Sequence, residues 1–600
     1  MVTKHKNNDA SNQQAHSAIN HSPSIRQLKI ERFRGIKQLT WHPAAGLNVV
    51  LGGGNVGKTT ILEAIGLLLS PTNPSTLADT DYYARDIAAG FSIQADVSLS
   101  ESSGIDHQLK PSWPWHWDGN DTVIPNVEGE SIVSSVPVYR LRVRGTEDLE
   151  LLYEVVQPDG TADPFSVALR RSIGLVRLSG DDRNDRDLRL VQGSALERLL
   201  ADKNLRSRIA NELAKSEVKE KLSDEGWKAL VALDVTFKSE KLPDGLDLAV
   251  TGSPGASITS MIGLTATRSG VQLPLTSWGS GTRRLSALTI AEQNHNDAPI
   301  TLVDEIERGL EPYRQRLLIE KLQSDHSQTF ITTHSPAVIA ATSAGTFWYV
   351  DHSGTVGPLD GKKIARHRTC DPNAFLSRLA IIGEGITEVG FATALLERSM
   401  NTSLLRYGIH VSNGDGHEAT LGLLEALVAS GLRFGCFADD EDGKHPSRWA
   451  TIASAQGDLL FRWAKGCLEE NLIAAVAFED LEALIHDPAE EKTGMRLRHL
   501  ADRLNIHEKD FPTISAKAGE NLHRIIIEAA IGYVPTDKMP QKKEYEAHAR
   551  MFFKSEAGGI ELETKMFGLG VWPSLRERLL PFCNAVRAAV DLPTIADVTA

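Results

Sequence analysis

Leu47-Asn48-Val49-Val50-Leu51-Gly52-Gly53-Gly54-Asn55-Val56-Gly57-Lys58-Thr59-Thr60 decides the fold class of this 600-residue chain. The first five residues read as a short buried strand. The run after them matches Gly-x-x-x-x-Gly-Lys-Ser/Thr, in which backbone N–H groups wrap around phosphate oxygens. Gly52, Asn55 and Gly57 give the loop its shape. Lys58 can reach the β and γ oxygens, and the Thr59 hydroxyl can ligate Mg2+. From Thr60 an amphipathic helix follows (Ile61, Leu62, Ile65, Leu68, Leu69), and its N-terminal dipole favours an anion. The stretch predicts an α/β fold that binds ATP with Mg2+.

Three later segments define the kind of ATPase. Ser277-Trp278-Gly279-Ser280-Gly281-Thr282-Arg283-Arg284 looks like a degenerate ABC signature, a glycine-rich turn opening a helix. In that family the turn, here Ser280 and Gly281, faces the γ-phosphate of the opposing subunit. Ile300-Thr301-Leu302-Val303-Asp304-Glu305 is an apolar strand ending in two acids. Asp304 is placed to hold Mg2+ through water, and Glu305 to polarise the attacking water. Phe330-Ile331-Thr332-Thr333-His334 is another buried strand, ending in a histidine suited to sense the γ-phosphate. The order of these segments resembles ABC ATPases. With Phe33-Arg34-Gly35 upstream, it resembles the RecF and SMC branch, which acts on DNA. The interval between phosphate loop and signature is too short for a long coiled coil. About 190–240 reads as a helical insert, either for dimerisation or packed on the ATPase core.

Composition narrows the rest. The net charge of −14 gives no global nucleic-acid signature, though binding needs only a local basic surface. The cysteines Cys370, Cys436, Cys467 and Cys583 are scattered without paired spacing, which disfavours zinc ribbons and disulfides and suits a cytoplasmic location. Residues 1–24 read as a disordered polar tail, and Ile25 to Lys37 as an edge strand. Trp113-Pro114-Trp115-His116-Trp117 reads as a packed loop, with base stacking the alternative. No apolar stretch is long enough to span a membrane, so no membrane partner is expected.

His352 to Asp371 is the best linker candidate, which sets an ATPase domain at 25–370 and a second domain at 371–600 with a C-terminal helical extension. The second domain opens on Leu379-Ala380-Ile381-Ile382-Gly383-Glu384-Gly385-Ile386-Thr387-Glu388. A strand delivers Glu384, and Glu388 lies one turn into the next helix, so both carboxylates can face one point. Arg433 to Ala438 reads as a strand ending in Asp439-Asp440-Glu441-Asp442-Gly443. Carboxylates at strand ends suit Mg2+ or Mn2+. Asp440 with Asp442 keeps an Asp-x-Asp spacing, and Asp439 with Glu441 is the other register. Glu470, beside Glu469, offers a further acid, and Lys517 a lysine before a helix.

The glutamate and Asp-x-Asp segments together resemble the Toprim fold. An ABC-type (RecF/SMC-like) P-loop ATPase domain followed by a Toprim α/β domain resembles the overcoming-lysogenisation-defect (OLD) family of nucleases. The likeness includes Asp79-Thr80-Asp81-Tyr82-Tyr83 and the arginine-rich Asp182 to Leu188. It implies an ATP-regulated, two-metal DNA endonuclease that forms a homodimer or higher oligomer through its ATPase region and serves in anti-phage defence, with room for an accessory defence protein. It assigns metal binding to Glu384, Glu388, Asp439, Asp440, Asp442 and Glu470, and transition-state stabilisation to Lys517. The competing expectation is a DNA-binding ABC-type repair ATPase or scaffold whose Toprim module only docks.

Overall fold

The computed structural model describes residues 22–599 apart from 74–76, 100–102, 106–111, 125–135, 179–183, 192–193, 201–221, 251–261, 294–298, 325–326, 441–442, 488 and 490. Leu47–Leu51 is buried at every position and lies inside a six-stranded sheet. Across that sheet the order is Leu175–Leu178, Ile300–Val303, Thr329–Thr332, Leu47–Leu51, Gly345–Val350 and Val356–Pro358. The first five strands are parallel and the last is antiparallel. Covering both faces makes such strands continuous apolar runs, which is why they were visible in the sequence. Parallel pairing also puts the segments after Leu51, Val303 and Thr332 on one edge of the sheet. That edge carries Lys58, Asp304, Glu305 and His334.

A second, eight-stranded sheet packs over the phosphate-loop helix Lys58–Leu68. Ile25, Leu28 and Ile30 share an apolar core with Ile61, Leu62, Ile65 and Leu68. The strand Ser24–Phe33 is not an edge strand: it pairs with Ile36–Trp41 on one side and Phe91–Ser98 on the other. Alternation reports one wet face of a sheet and says nothing of position within it. Ser24 already belongs to this strand, and the expected tail lies outside the described residues up to 21. Trp115 is buried, donates from Nε1 to the Val156 carbonyl at 2.8 Å, and packs under the Arg140 guanidinium.

Within the insert, the helices Ala195–Leu200 and Asp224–Ser239 join a three-stranded sheet. Leu196, Leu230, Leu233 and Ile262 form one cluster with Ala287 and Ile290 of the signature helix Ser280–Glu292. The described helices therefore pack on the ATPase core.

Beyond residue 378 lies a four-stranded parallel sheet ordered Ile409–Asn413, Leu379–Gly383, Gly435–Ala438, Leu460–Arg462. The chain leaves its first strand to one side and later returns to the other. The carboxyl ends of Leu379–Gly383 and Gly435–Ala438 thus form the topological switch point, where such sheets bind ligands. Glu384 and Asp439 follow those two ends directly.

The expected linker is ordered structure. Val356–Pro358 is the edge strand of the first sheet, and Lys362–Cys370 is a helix with Ile364 and His367 buried. Its polar composition concealed that two inward positions suffice to dock a short helix. The two parallel sheets share one apolar layer containing Val49, Phe347, Tyr349, Phe375, Ile382, Phe434 and Cys436. Tyr349 stacks on Phe434 at 5.2 Å, meets Phe375 edge-on at 6.1 Å, and donates its hydroxyl to the Ser377 carbonyl at 3.0 Å. Gly53 of the phosphate loop lies so close to the Arg378 backbone that a Cβ there would overlap the Arg378 Cα. Among the described residues, no helix is long and apolar enough to cross a membrane.

Candidate functional sites

The nucleotide site is assembled by hydrogen bonds between the sheet-edge loops. Lys58 is buried, and its Nζ donates to the carbonyls of Gly52 at 3.0 Å and Gly53 at 2.5 Å. Burial lowers its ammonium to about 8, although Asp304, Glu307 and Glu305 pull the other way. Gly57 opens the helix with φ 103°, and Asn55 holds a left-handed φ of 61°. Thr59 Oγ1 and Thr332 Oγ1 both donate to Asp304 Oδ1, at 3.2 and 2.6 Å. The hydroxyl and carboxylate expected around Mg2+ are therefore adjacent. Glu305 sits at φ 48°, and its amide donates to Thr332 Oγ1 at 2.8 Å. The amide of His334 and the hydroxyl of Thr333 both donate to the Glu307 carboxylate at 2.7 Å. Burial and the neighbouring Lys58 lower the His334 imidazole, which favours its neutral form.

Arg284, within the signature segment, received no role from the sequence. It is buried, and its guanidinium donates to the carbonyls of Glu305 at 2.6 Å, Arg308 at 3.0 Å, and Asp304. The signature helix is thereby tied to the loop that carries the two acids. Ser280 at the start of that helix is exposed, whereas Gly281 is buried against Gly309. The only sequence signal for Arg284 was a basic residue on the inward face of an otherwise apolar helix.

At the switch point of the four-stranded sheet, Glu384, Glu388, Asp439 and Glu469 come together. Glu384 is 6% exposed, Glu388 3% and Glu469 0%. The Asp439 amide donates to Glu384 Oε2 at 3.1 Å, and Asp439 Oδ1 accepts from the Leu468 amide at 3.0 Å. His417 Nδ1 lies 3.4 Å from Glu384 Oε2. Lys554 Nζ lies 2.9 Å from Glu469 Oε1. Burial, then the charge of Glu469, raises the proton affinity of Glu388. Burial, then Glu388 and Glu469, does the same to Asp439, and Lys554 opposes both shifts. Glu388 Oε1 and Glu469 Oε2 have no hydrogen-bond partner among the described residues. Crowded, buried carboxylates repel one another, and a hard divalent cation would supply the compensating charge.

Three expectations about this site are corrected. Glu470 faces its own helix: its Oε2 accepts from the Cys467 amide at 2.8 Å, a capping-box arrangement at the start of Leu468–Ala474. Glu469 points into the cluster instead. Asp440 is turned away, ion-paired to Arg462, while its amide donates to the Gly466 carbonyl at 2.9 Å. Asp439 occupies the position beside Glu384. Lys517 is exposed near the end of the helix Phe511–Ala518, and Lys554 is the lysine at the acids. Asp442 and Glu441 lie outside the described residues.

Lys554 reaches the cluster because two helices touch at glycine. A Cβ on Gly390, within Ile386–Met400, would overlap the carbonyl of Glu556 at the start of Glu556–Gly568. The Thr387 hydroxyl donates to the Phe553 carbonyl at 3.3 Å, one residue before Lys554.

Residues 47–340 match the family described as "AAA domain, putative AbiEii toxin, Type IV TA system", so this segment carries an AAA-type ATPase domain. A DNA replication and repair protein RecF of Moorella thermoacetica is 29% identical over 129 residues, covering 22% of this chain and 33% of that protein. The SMC head bound to the C-terminal winged-helix domain of ScpA covers 57% of this chain and 99% of its own, at 17% identity and a TM-score of 0.35. The recombination mediator RecF with ATPrS covers 57% of this chain and 99% of its own, at 14% identity and a TM-score of 0.35.

Proposed function

We propose that this chain is an ATP-regulated, divalent-metal-dependent DNA endonuclease, with an ABC-type ATPase fused to a Toprim-like nuclease domain as in the OLD family. The observation that carries the reading is the convergence of Glu384, Glu388, Asp439 and Glu469 with Lys554 at the switch point of a parallel sheet. Mg2+ or Mn2+ bound there would supply a water nucleophile and charge neutralisation at the leaving oxygen. The four carboxylates would hold the cations, and the hydrogen bond from the Asp439 amide orients Glu384. Lys554, beside Glu469, would neutralise charge on the scissile phosphate. His417 Nδ1 lies 3.4 Å from the same Glu384 Oε2 that the Asp439 amide holds.

In the ATPase domain, Lys58 and the loop amides clamp the phosphates, Thr59 and Asp304 take Mg2+, Glu305 orients water, and His334 reads the γ-phosphate. The exposed Ser280 suits completion of the site by a second copy. The DNA-related naming of the RecF relative supports DNA as the polymer. The OLD-family resemblance extends the reading to defence against phage.

Supercoiled plasmid with Mg2+ or Mn2+, with and without ATP, tests this. Nicking that disappears in Glu384→Ala and Glu469→Gln is the expected result. ATP hydrolysis and DNA binding without nicking under any metal would leave the repair ATPase or scaffold instead.

A further inference from the structure

Away from both sites, the helices Thr493–Leu504 and Lys542–Met551 bring His499, Asp502 and His548 together. One ligand atom from each lies within 4.8 Å of the others. His548 is 1% exposed, and neither of its ring nitrogens has a hydrogen-bond partner among the described residues. His499 Nδ1 is buried and unpartnered as well. The two imidazoles lie face to face, with centroids 3.7 Å apart and planes 30° from parallel. A neutral imidazole carries one donor and one lone pair, and a buried polar group without a partner is costly. Nothing in the packing of these helices uses those nitrogens.

Asp502 lies three residues after His499, on the same helix face, and adds a negative charge. The nearby Arg503 guanidinium lies over the Tyr545 ring at 4.8 Å and donates from Nη2 to the Tyr533 carbonyl at 3.0 Å, while its Nε and Nη1 have no hydrogen-bond partner among the described residues.

We propose that His499, Asp502 and His548 form a second metal site, for a borderline cation of the zinc class, with water completing a tetrahedral set. Two imidazoles and one carboxylate match zinc ligation, whereas the all-carboxylate cluster at Glu384 suits harder cations. The ion would pin Lys542–Met551 to Thr493–Leu504, joining segments about forty residues apart in the helical extension. The site is independent of the nuclease reading.

Cobalt(II) alone is the probe, added to the full chain carrying Glu384→Ala so that the carboxylate cluster has lost a ligand. The expected result is the intense visible absorption of tetrahedral cobalt, displaced by zinc. It disappears when His548→Gln or His499→Gln is added. Because His548 is buried, Asp502→Asn at an exposed position serves as the variant that leaves packing intact, and it weakens cobalt binding at least tenfold. Zinc also raises the melting temperature of the Glu384→Ala chain and not that of the histidine variants. No tetrahedral band, or a band undiminished in His499→Gln and Asp502→Asn, overturns the proposal.

Discussion

Lys554 Nζ and Glu469 Oε1 form an ion pair of 2.9 Å in which the glutamate side chain is wholly covered. With no metal bound, this lysine is the main cation opposing the negative charge of the cluster. Removing one partner of a fully buried pair costs about 3–5 kcal/mol, and less here because the Lys554 side chain is 35% exposed. Lys554→Met is therefore expected to melt earlier in chelator, and Mn2+ should recover part of the loss. Its nicking should fall on the order of 100-fold or more while ATP turnover persists. Differential scanning fluorimetry beside plasmid nicking checks both; unchanged nicking would move Lys554 to a purely structural role.

Asp439 and Asp440 are adjacent in sequence and differ in what they face. Asp439→Asn should abolish nicking. Asp440→Asn, which breaks the contact with Arg462, should lower stability and reduce nicking by less than about tenfold, since the residue points away from the acids. Parallel nicking assays on the two variants decide the register, and the opposite ranking would reverse it.

ATP affinity should depend on pH through Lys58. Its ammonium is lowered to about 8 in the free protein by burial, and bound phosphates raise it. Binding then requires the protonated lysine. Affinity is level below pH about 8 and weakens above it, by up to roughly tenfold per pH unit, because a proton must be taken up. Calorimetric titration in buffers of different ionisation enthalpy measures that uptake directly, and no uptake at pH above about 8 would refute the role.

Lys58→Ala and Glu305→Gln should separate binding from hydrolysis. The first removes the phosphate clamp and weakens ATP binding. The second leaves binding intact, slows hydrolysis by about 100-fold or more, and accumulates an ATP-bound dimer. Nucleotide titration and light scattering report the two outcomes.

The parts of the site that lie within one strand–loop–helix unit were legible before folding. Lys58, Thr59, Asp304, Glu305 and His334 each end or follow a buried apolar run, and parallel pairing brings those ends to one edge. Glu384 and Glu388 were legible for the same reason. Glu469 was misread as Glu470 because the two differ only in helix phase, yet Glu470 stands three residues after Cys467, the position that reaches back to the first amide. Lys554 carried no local signal. It enters through a contact between helices more than 150 residues apart, enabled by Gly390. The false linker shows the converse error, since charge density along Lys362–Cys370 says little about a helix held by Ile364 and His367.

The shared apolar layer, with Gly53 set against the Arg378 backbone, leaves no joint between the phosphate loop and the strand that leads to Glu384. Close-packed interiors resist continuous deformation. The separation of Lys58 from Glu384 within one chain should then stay constant through the nucleotide cycle. In the proposed dimer the stroke would belong to the pairing of whole protomers: ATP would change the span between one Glu384 and its counterpart in a second copy, the caliper into which a duplex would have to fit.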